Sequence, residues 1–249
     1  MDFFNILFTA EGLFYLVVLS LLEIVLGIDN IIFISIVTDK LPAEKKRYAR
    51  NLGMTLALVV RLLLLTLVGF IMRMERPLFT VFDHPFTGQS IVLLAGGLFL
   101  IYKSTIEMHN SVKGGDEPHA NPKAKLSAII LQIVMIDIVF SFDSIITAIG
   151  MTNDISSDPH KNPMIIIYAA VIISMAIMLV FAKPISEFIN NRPTVKMIAL
   201  AFLVTIGVIL VAESFGQHVP KGYIYFAMVY ALLVEFLNIR MRKNKGIEE

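Results

Sequence analysis

Apolar residues in this chain gather into runs of about 20, the length a helix needs to cross a hydrocarbon slab about 30 Å thick. Seven such runs occupy residues 13–37, 52–72, 90–107, 126–150, 163–182, 195–213 and 222–238. Lipid offers the backbone no hydrogen-bond partners, so each run predicts a membrane-spanning helix. Asp2 and Glu11 precede the first run, where a cleaved signal peptide would carry basic residues, so that run is expected to stay as a span. The fold class read from the pattern is an all-α polytopic membrane protein of seven transmembrane helices, forming one membrane domain.

Composition agrees with this. Of 249 residues, 57% are hydrophobic and 16% charged, and the mean hydropathy is +0.77. With Cys 0, disulfides, thiolate metal sites and thiol chemistry are excluded. With Trp 0, anchoring at the interfaces falls to Tyr, Phe, Lys and Arg.

Charge matters through its placement, because the net value is only +1. Fifteen Lys and Arg fall on one side: Lys40, Lys45, Lys46, Arg47 and Arg50; Lys113, Lys123 and Lys125; Lys183, Arg192 and Lys196; Arg240, Arg242, Lys243 and Lys245. The other side holds four: Arg73, Arg76, Lys161 and Lys221. The positive-inside rule then predicts an external N-terminus and a cytosolic C-terminus. The basic run Lys45–Arg50 lies in a short segment between two spans, so it reads as a topology anchor, and no nucleic-acid partner is expected.

The chain also repeats itself. Residues 23–32 read EIVLGIDNII and residues 137–146 read DIVFSFDSII, an offset of 114. Glu23 corresponds to Asp137, Asp29 to Asp143 and Asn30 to Ser144. An acid at the centre of a span costs about 2.5–3.5 kcal/mol on insertion scales, so four in one register are not accidental. By the predicted topology the two copies are antiparallel. Spans one to three (13–107) and four to six (126–213) then form a 3+3 inverted repeat joined by a cytosolic linker, with the seventh span (222–238) appended. Secondary transporters are commonly built this way, with the site near the midplane.

Glu23 and Asp137 lie about 15–17 Å into their spans, with Asp29 and Asp143 about 9 Å further along in opposite directions. On an ideal helix residues six apart point about 120° away from one another, whereas residues seven apart share a face. Gly27 and Ser141 sit between the acids, and the expectation is that each helix loosens there so that both acids turn inward. Glu23, Asp29, Asn30, Asp137, Asp143 and Ser144 are the candidate metal ligands. Such hard oxygen donors suit Mn²⁺, Mg²⁺ or Ca²⁺ as a transported ion, with no prosthetic group. None of the five His falls within a span core, which disfavours zinc and copper.

Around this set stand residues with two readings each. Arg61 either holds an acid in an ion pair or gates the site, and Lys103 either snorkels to the headgroups or joins the site. Gln132 is a hydrogen-bond donor behind Asp137 or part of an interhelical bond. Glu213, His218 and Lys221 form a solvated rim or an entry vestibule, and Glu235 is expected at the interface. Residues 108–125 read as a flexible linker rather than a metal-collecting loop.

The strings LEIVLGIDNIIFIS (22–35), GGLFLIYKSTIEMH (96–109), QIVMIDIVFSFDSIITAIGM (132–151) and VTIGVILVAESFGQHVPKGYIYFAM (204–228) resemble the TerC family of bacterial integral membrane proteins. The resemblance covers residues from about 10 to 240. It implies the bacterial inner membrane, an association with tellurite resistance, a kinship with lysine-exporter-like transporters and, in one branch, manganese efflux. It implicates the same six ligand candidates and places Lys103 in a family stretch. The accessory cytosolic domains of larger relatives are not expected here. The leading expectation is therefore export of a divalent cation, most simply Mn²⁺, by a secondary transporter coupled to protons. A non-transporting scaffold, acting through a homo-oligomer or membrane partners, is the alternative. An intramembrane aspartyl protease is disfavoured by the absence of a GxGD stretch, and no P-loop pattern for ATP drive occurs.

Overall fold

The structure, a computed structural model, describes residues 7, 9–67, 77–81, 84–113, 126–152, 163–217 and 219–244, without the side chains of Val81, His84, Asp143, Lys221 and Lys243. Seven helices fill it: α1 (Ala10–Thr38), α2 (Ala43–Thr66), α3 (Gly88–Lys113), α4 (Leu126–Met151), α5 (Pro163–Asn190), α6 (Pro193–Ser214) and α7 (Lys221–Asn244). All seven are long and apolar enough to cross a membrane.

Local chemistry sets several of the helix ends. Thr9 caps α1, its Oγ1 accepting the Gly12 N–H at 3.0 Å. Thr87 and Ser90 cap α3 reciprocally: Ser90 N–H donates to Thr87 Oγ1 at 3.1 Å and Thr87 N–H to Ser90 Oγ at 3.4 Å. Pro163 and Pro193 open α5 and α6, where a missing N–H costs nothing. The expected spans all appear, and several run further. α2 starts at Ala43 rather than 52, and α5 continues past Pro184 to Asn190 rather than stopping at 182. The end expected for the second span, residues 68–72, lies outside the described residues, as does the linker from 114 to 125. One feature was not expected: an antiparallel hairpin of β1 (Pro77–Val81) and β2 (His84–Thr87), with Phe79 stacked on Phe86 at 5.6 Å. Phe86 in turn meets Phe215 beyond α6 edge-on at 5.4 Å.

Helix packing follows the repeat. α3 packs most extensively on α6, α1 on α5, and α2 on α4. The offset of 114 exchanges α1 with α4 and α2 with α5, so the α1–α5 and α2–α4 pairs are equivalents of one another. Gly27 lies against Met178 while Ser35 reaches Asn190, so α1 and α5 run parallel. Gly53 against Ile133 and Arg61 against Ser141 make α2 and α4 parallel. Gly97 against Val211 and Ile101 against Gly207 make α3 and α6 antiparallel. These directions are those an inverted repeat requires. They also show that the strongest contacts cross between the sequence halves. α1, α2, α4 and α5 form a four-helix body, and the α3–α6 pair leans on it as a separate panel carrying α7. The two halves are thus interleaved.

Candidate metal centre

The middle of the four-helix body holds a dry cluster of charge. Glu23 on α1, Arg61 on α2 and Asp137 on α4 are each 2–3% exposed. Arg61 Nη1 donates to Glu23 Oε2 at 2.5 Å and Nη2 to Asp137 Oδ1 at 3.4 Å. The third guanidinium nitrogen, Nε, donates to Ser141 Oγ at 3.0 Å. Ser141 Oγ donates to Asp137 Oδ2 at 3.2 Å, one helical turn back on α4. Asn30 on α1 donates its Nδ2 to Asp137 Oδ1 at 3.1 Å across the helix interface. Asn30 Oδ1 is buried and accepts no hydrogen bond among the described residues. Two carboxylates and a hydroxyl therefore surround one guanidinium, with the Asn30 amide held on the Asp137 carboxylate.

Arg61 answers both acids because the repeat is broken at its position. The same offset carries Arg61 onto Met175 of α5, which is 3% exposed and lies in the apolar core. Where Ser141 meets Arg61, its counterpart Gly27 meets Met178, and a methyl built on Gly27 would overlap the Met178 sulfur. One face of the cluster is ionic and its pseudo-symmetric face is greasy. With both acids ionised, the group carries one formal negative charge in excess.

Neither motif helix is loosened. α1 runs unbroken from Ala10 to Thr38 and α4 from Leu126 to Met151, so the expected unwinding at Gly27 and Ser141 is corrected. Gly27 serves close approach to α5, and Ser141 serves the ion cluster. A continuous helix keeps residues six apart on different faces, so the single site expected from the six candidate ligands divides. Glu23, Asn30 and Asp137 come together. Asp29 turns instead to α7, where Tyr225 Oη donates to its Oδ2 at 3.2 Å. Asp29 and Tyr225 line a small cavity of about 30 Å³ with Phe140 and Leu210. Ser144 is buried but donates to the Ser141 carbonyl of its own helix at 3.3 Å. The side chain of Asp143 lies outside the described residues. Among the described residues no group of three or more His, Asp or Glu converges in a way that could hold a metal.

The supporting candidates fare differently. Arg61 is central. Lys103 sits apart from the cluster, its Nζ 6.0 Å from the Phe99 ring centre, in a crevice shared with Lys40, Ser104, Glu107 and Gln132. Gln132 Nε2 donates to the Ala128 carbonyl at 3.1 Å, so it stands behind no carboxylate. Glu235, expected at the interface, is 8% exposed and accepts from Thr194 Oγ1 of α6. Glu213 belongs to α6, while His218 and the Lys221 side chain of the expected vestibule lie outside the described residues. Two contributors were not anticipated as site residues. Ser141 was legible from its i+4 spacing to Asp137; Tyr225, alone on a distant span, gave no such signal.

At one end of the bundle the charges interlock. Asp39, at the end of α1, receives Lys46 at 2.6 Å and Lys196 of α6 at 3.4 Å. The adjacent Lys40 pairs with Glu107 of α3. Two of the basic segments assigned to one side by sequence, that of Lys40 and Lys46 and that of Lys196, therefore meet at one end of the molecule.

Comparison with known proteins agrees with this architecture. The model of the integral membrane protein TerC family matches residues 8–246. A UPF0053 protein of Haemophilus influenzae is 46% identical over 235 residues, covering 94% of this chain and 95% of that protein. The inner membrane protein YgdQ of Escherichia coli K12 is 45% identical over 227 residues, covering 91% and 92%. The inner membrane protein YoaE of the same strain is 44% identical over 231 residues, which span 92% of this chain and 43% of that larger protein. No solved structure matches. Seven membrane-length helices, and relatives named for the inner membrane, make this a multi-pass membrane protein. The chain belongs to the TerC family of integral membrane proteins.

Proposed function

We propose that this protein is a secondary transporter that exports a divalent metal cation, Mn²⁺ before Mg²⁺ or Ca²⁺, in exchange for protons. The observation that carries the reading is the convergence of Glu23 and Asp137, from two antiparallel helices, on one buried guanidinium. Vacating a site made of two dry carboxylates would leave uncompensated charge at a cost of several kcal/mol. Arg61 supplies the positive charge in the cation-free state. An arriving cation competes with it, taking Glu23, Asp137, Asn30 Oδ1 and Ser141 Oγ as hard oxygen donors. Release becomes feasible because Arg61 returns.

The basic end faces the cytosol in this reading. Its ion pairs, Lys40–Glu107 and Asp39–Lys196, each join the four-helix body to the α3–α6 panel, which supports a state closed on that side. Access would come from movement of the panel against the body. Asp29, hydrogen-bonded to Tyr225 on the other side of α1, is a second station, suited to a proton or to a passing cation.

Cellular manganese content and manganese sensitivity test this, in wild type against Glu23→Gln and Asp137→Asn at matched membrane expression. The reading expects manganese to accumulate in both variants, and it fails if neither differs from wild type. A second reading is favoured by the same ion pairs: Arg61 satisfies both acids, as a purely structural pin would. That reading describes a membrane scaffold, and it expects the neutral triple variant Glu23→Gln, Arg61→Met, Asp137→Asn to keep full function.

A further inference from the structure

An apolar groove of about 360 Å³ opens between α1, α5, α6 and α7, distinct from the ion cluster and unused by the transport reading. Its walls include Ile32, Pro184, Phe188, Val195, Phe202 and Met228. The volume falls in the range of small-molecule sites, about 300–1,000 Å³. Phe181 on its lip is 54% exposed, so the groove is open at its side, within the membrane-spanning length of α5. Along α5 it extends from Phe181 to Ile189, about 12 Å of helical rise. Pro184 lies in this wall; lacking an N–H, it cannot bond the Val180 carbonyl one turn back.

The groove has a charged mouth. Phe188 forms part of its wall, and the Arg192 guanidinium lies 4.5 Å from the centre of the Phe188 ring. Arg192 makes no ion pair among the described residues. Glu187, five residues earlier, pairs with Lys183, and Glu235 of α7 accepts from Thr194 and Asn238. An apolar slot parallel to the helices, ending at a cation held on an aromatic face, matches a molecule with a hydrocarbon tail and an anionic head. A second copy of the chain would place flat helix against flat helix and would leave Arg192 unanswered.

We infer that this groove is a binding site for an anionic phospholipid of the leaflet at the basic end, with one acyl chain between α5, α6 and α7 and the phosphate at Arg192. The acyl chain fills space between α7 and the body. Only 11% of the membrane-length window of α7 is buried in the protein itself, so the lipid acts as mortar for the seventh helix.

The test is retention of lipid by the purified, detergent-solubilised protein in native mass spectrometry, using dioleoyl-phosphatidylglycerol and dioleoyl-phosphatidylcholine, which share acyl chains. Wild type should hold the anionic lipid about fivefold better, the factor one basic side chain supplies at an anionic surface. Arg192→Gln should reduce that preference to parity, and Ile198→Trp, which fills the groove, should lower retention of both lipids. Equal retention of the two lipids by wild type, or an undiminished preference in Arg192→Gln, overturns the inference. Both readouts are independent of whether Ile198→Trp folds.

Discussion

Arg61 Nη1 lies 2.5 Å from Glu23 Oε2, with both side chains 2% exposed. A charge pair this dry is held by its geometry, and removing one partner strands the other. Arg61→Ala should therefore lower stability by about 3–5 kcal/mol, read as a large fall in thermal unfolding temperature in detergent. The neutral triple variant Glu23→Gln, Arg61→Met, Asp137→Asn should recover most of that loss. Persistent instability of the triple variant would mean that the cluster does more than balance its own charges.

Gly27 and Gly97 should respond differently to alanine, although both lie where helices approach closely. The obstacle at Gly27 is the flexible end of Met178, whereas at Gly97 it includes the Gly207 carbonyl and backbone of α6. Gly97→Ala should destabilise by about 1–3 kcal/mol, the usual cost of overpacking. Gly27→Ala should cost less, and adding Met178→Ala should recover part of the loss. Thermal unfolding of the three variants checks the order.

Asp29 and Glu23 sit on different faces of a continuous helix, with different partners. If they are separate stations, the effects of Asp29→Asn and Glu23→Gln on metal affinity should add to within about 0.5 kcal/mol. A coupling well above that would return Asp29 to the same coordination sphere. Tyr225→Phe, which deletes the hydroxyl bonded to Asp29, should reproduce part of the Asp29→Asn effect in the same assay.

Sidedness can be read directly because the chain has Cys 0, so any introduced cysteine is the sole target. Asn191 and Gln217 are exposed at opposite ends of α6. In intact cells Gln217→Cys should react with an impermeant maleimide, while Asn191→Cys should react only with a permeant one. The reverse pattern would invert the topology.

Much of this protein was legible in its sequence, and the limits have physical causes. Membrane helices are announced by length and hydropathy, because an apolar run of about 20 residues can satisfy its own backbone in lipid only as a helix; all seven are legible for that reason. The repeat was legible because acids in lipid are rare enough that register carries information. What the repeat could not reveal was how its halves interleave. That depends on which apolar faces touch, and apolar faces look alike in so greasy a chain. Gly27 shows the same limit: a small residue in a motif signals either a break or a close approach, and only Met178 decides between them. Arg61 was visible as a charge at mid-span, but its sharing by two carboxylates rests on Met175 standing in the equivalent position. The Phe79–Phe86 hairpin was too short to stand out between two spans.

In the proposed transport cycle Glu23 and Asp137 form a cation site that Arg61 fills in the absence of metal. Its most direct test is Mn²⁺ flux into proteoliposomes loaded with a manganese-sensitive dye, comparing wild type, Glu23→Gln and Asp137→Asn at equal reconstituted protein. Flux should be saturable in wild type and fall at least about tenfold in each variant, equivalent to about 1.4 kcal/mol or more of lost stabilisation. Wild-type rates in both variants would contradict it.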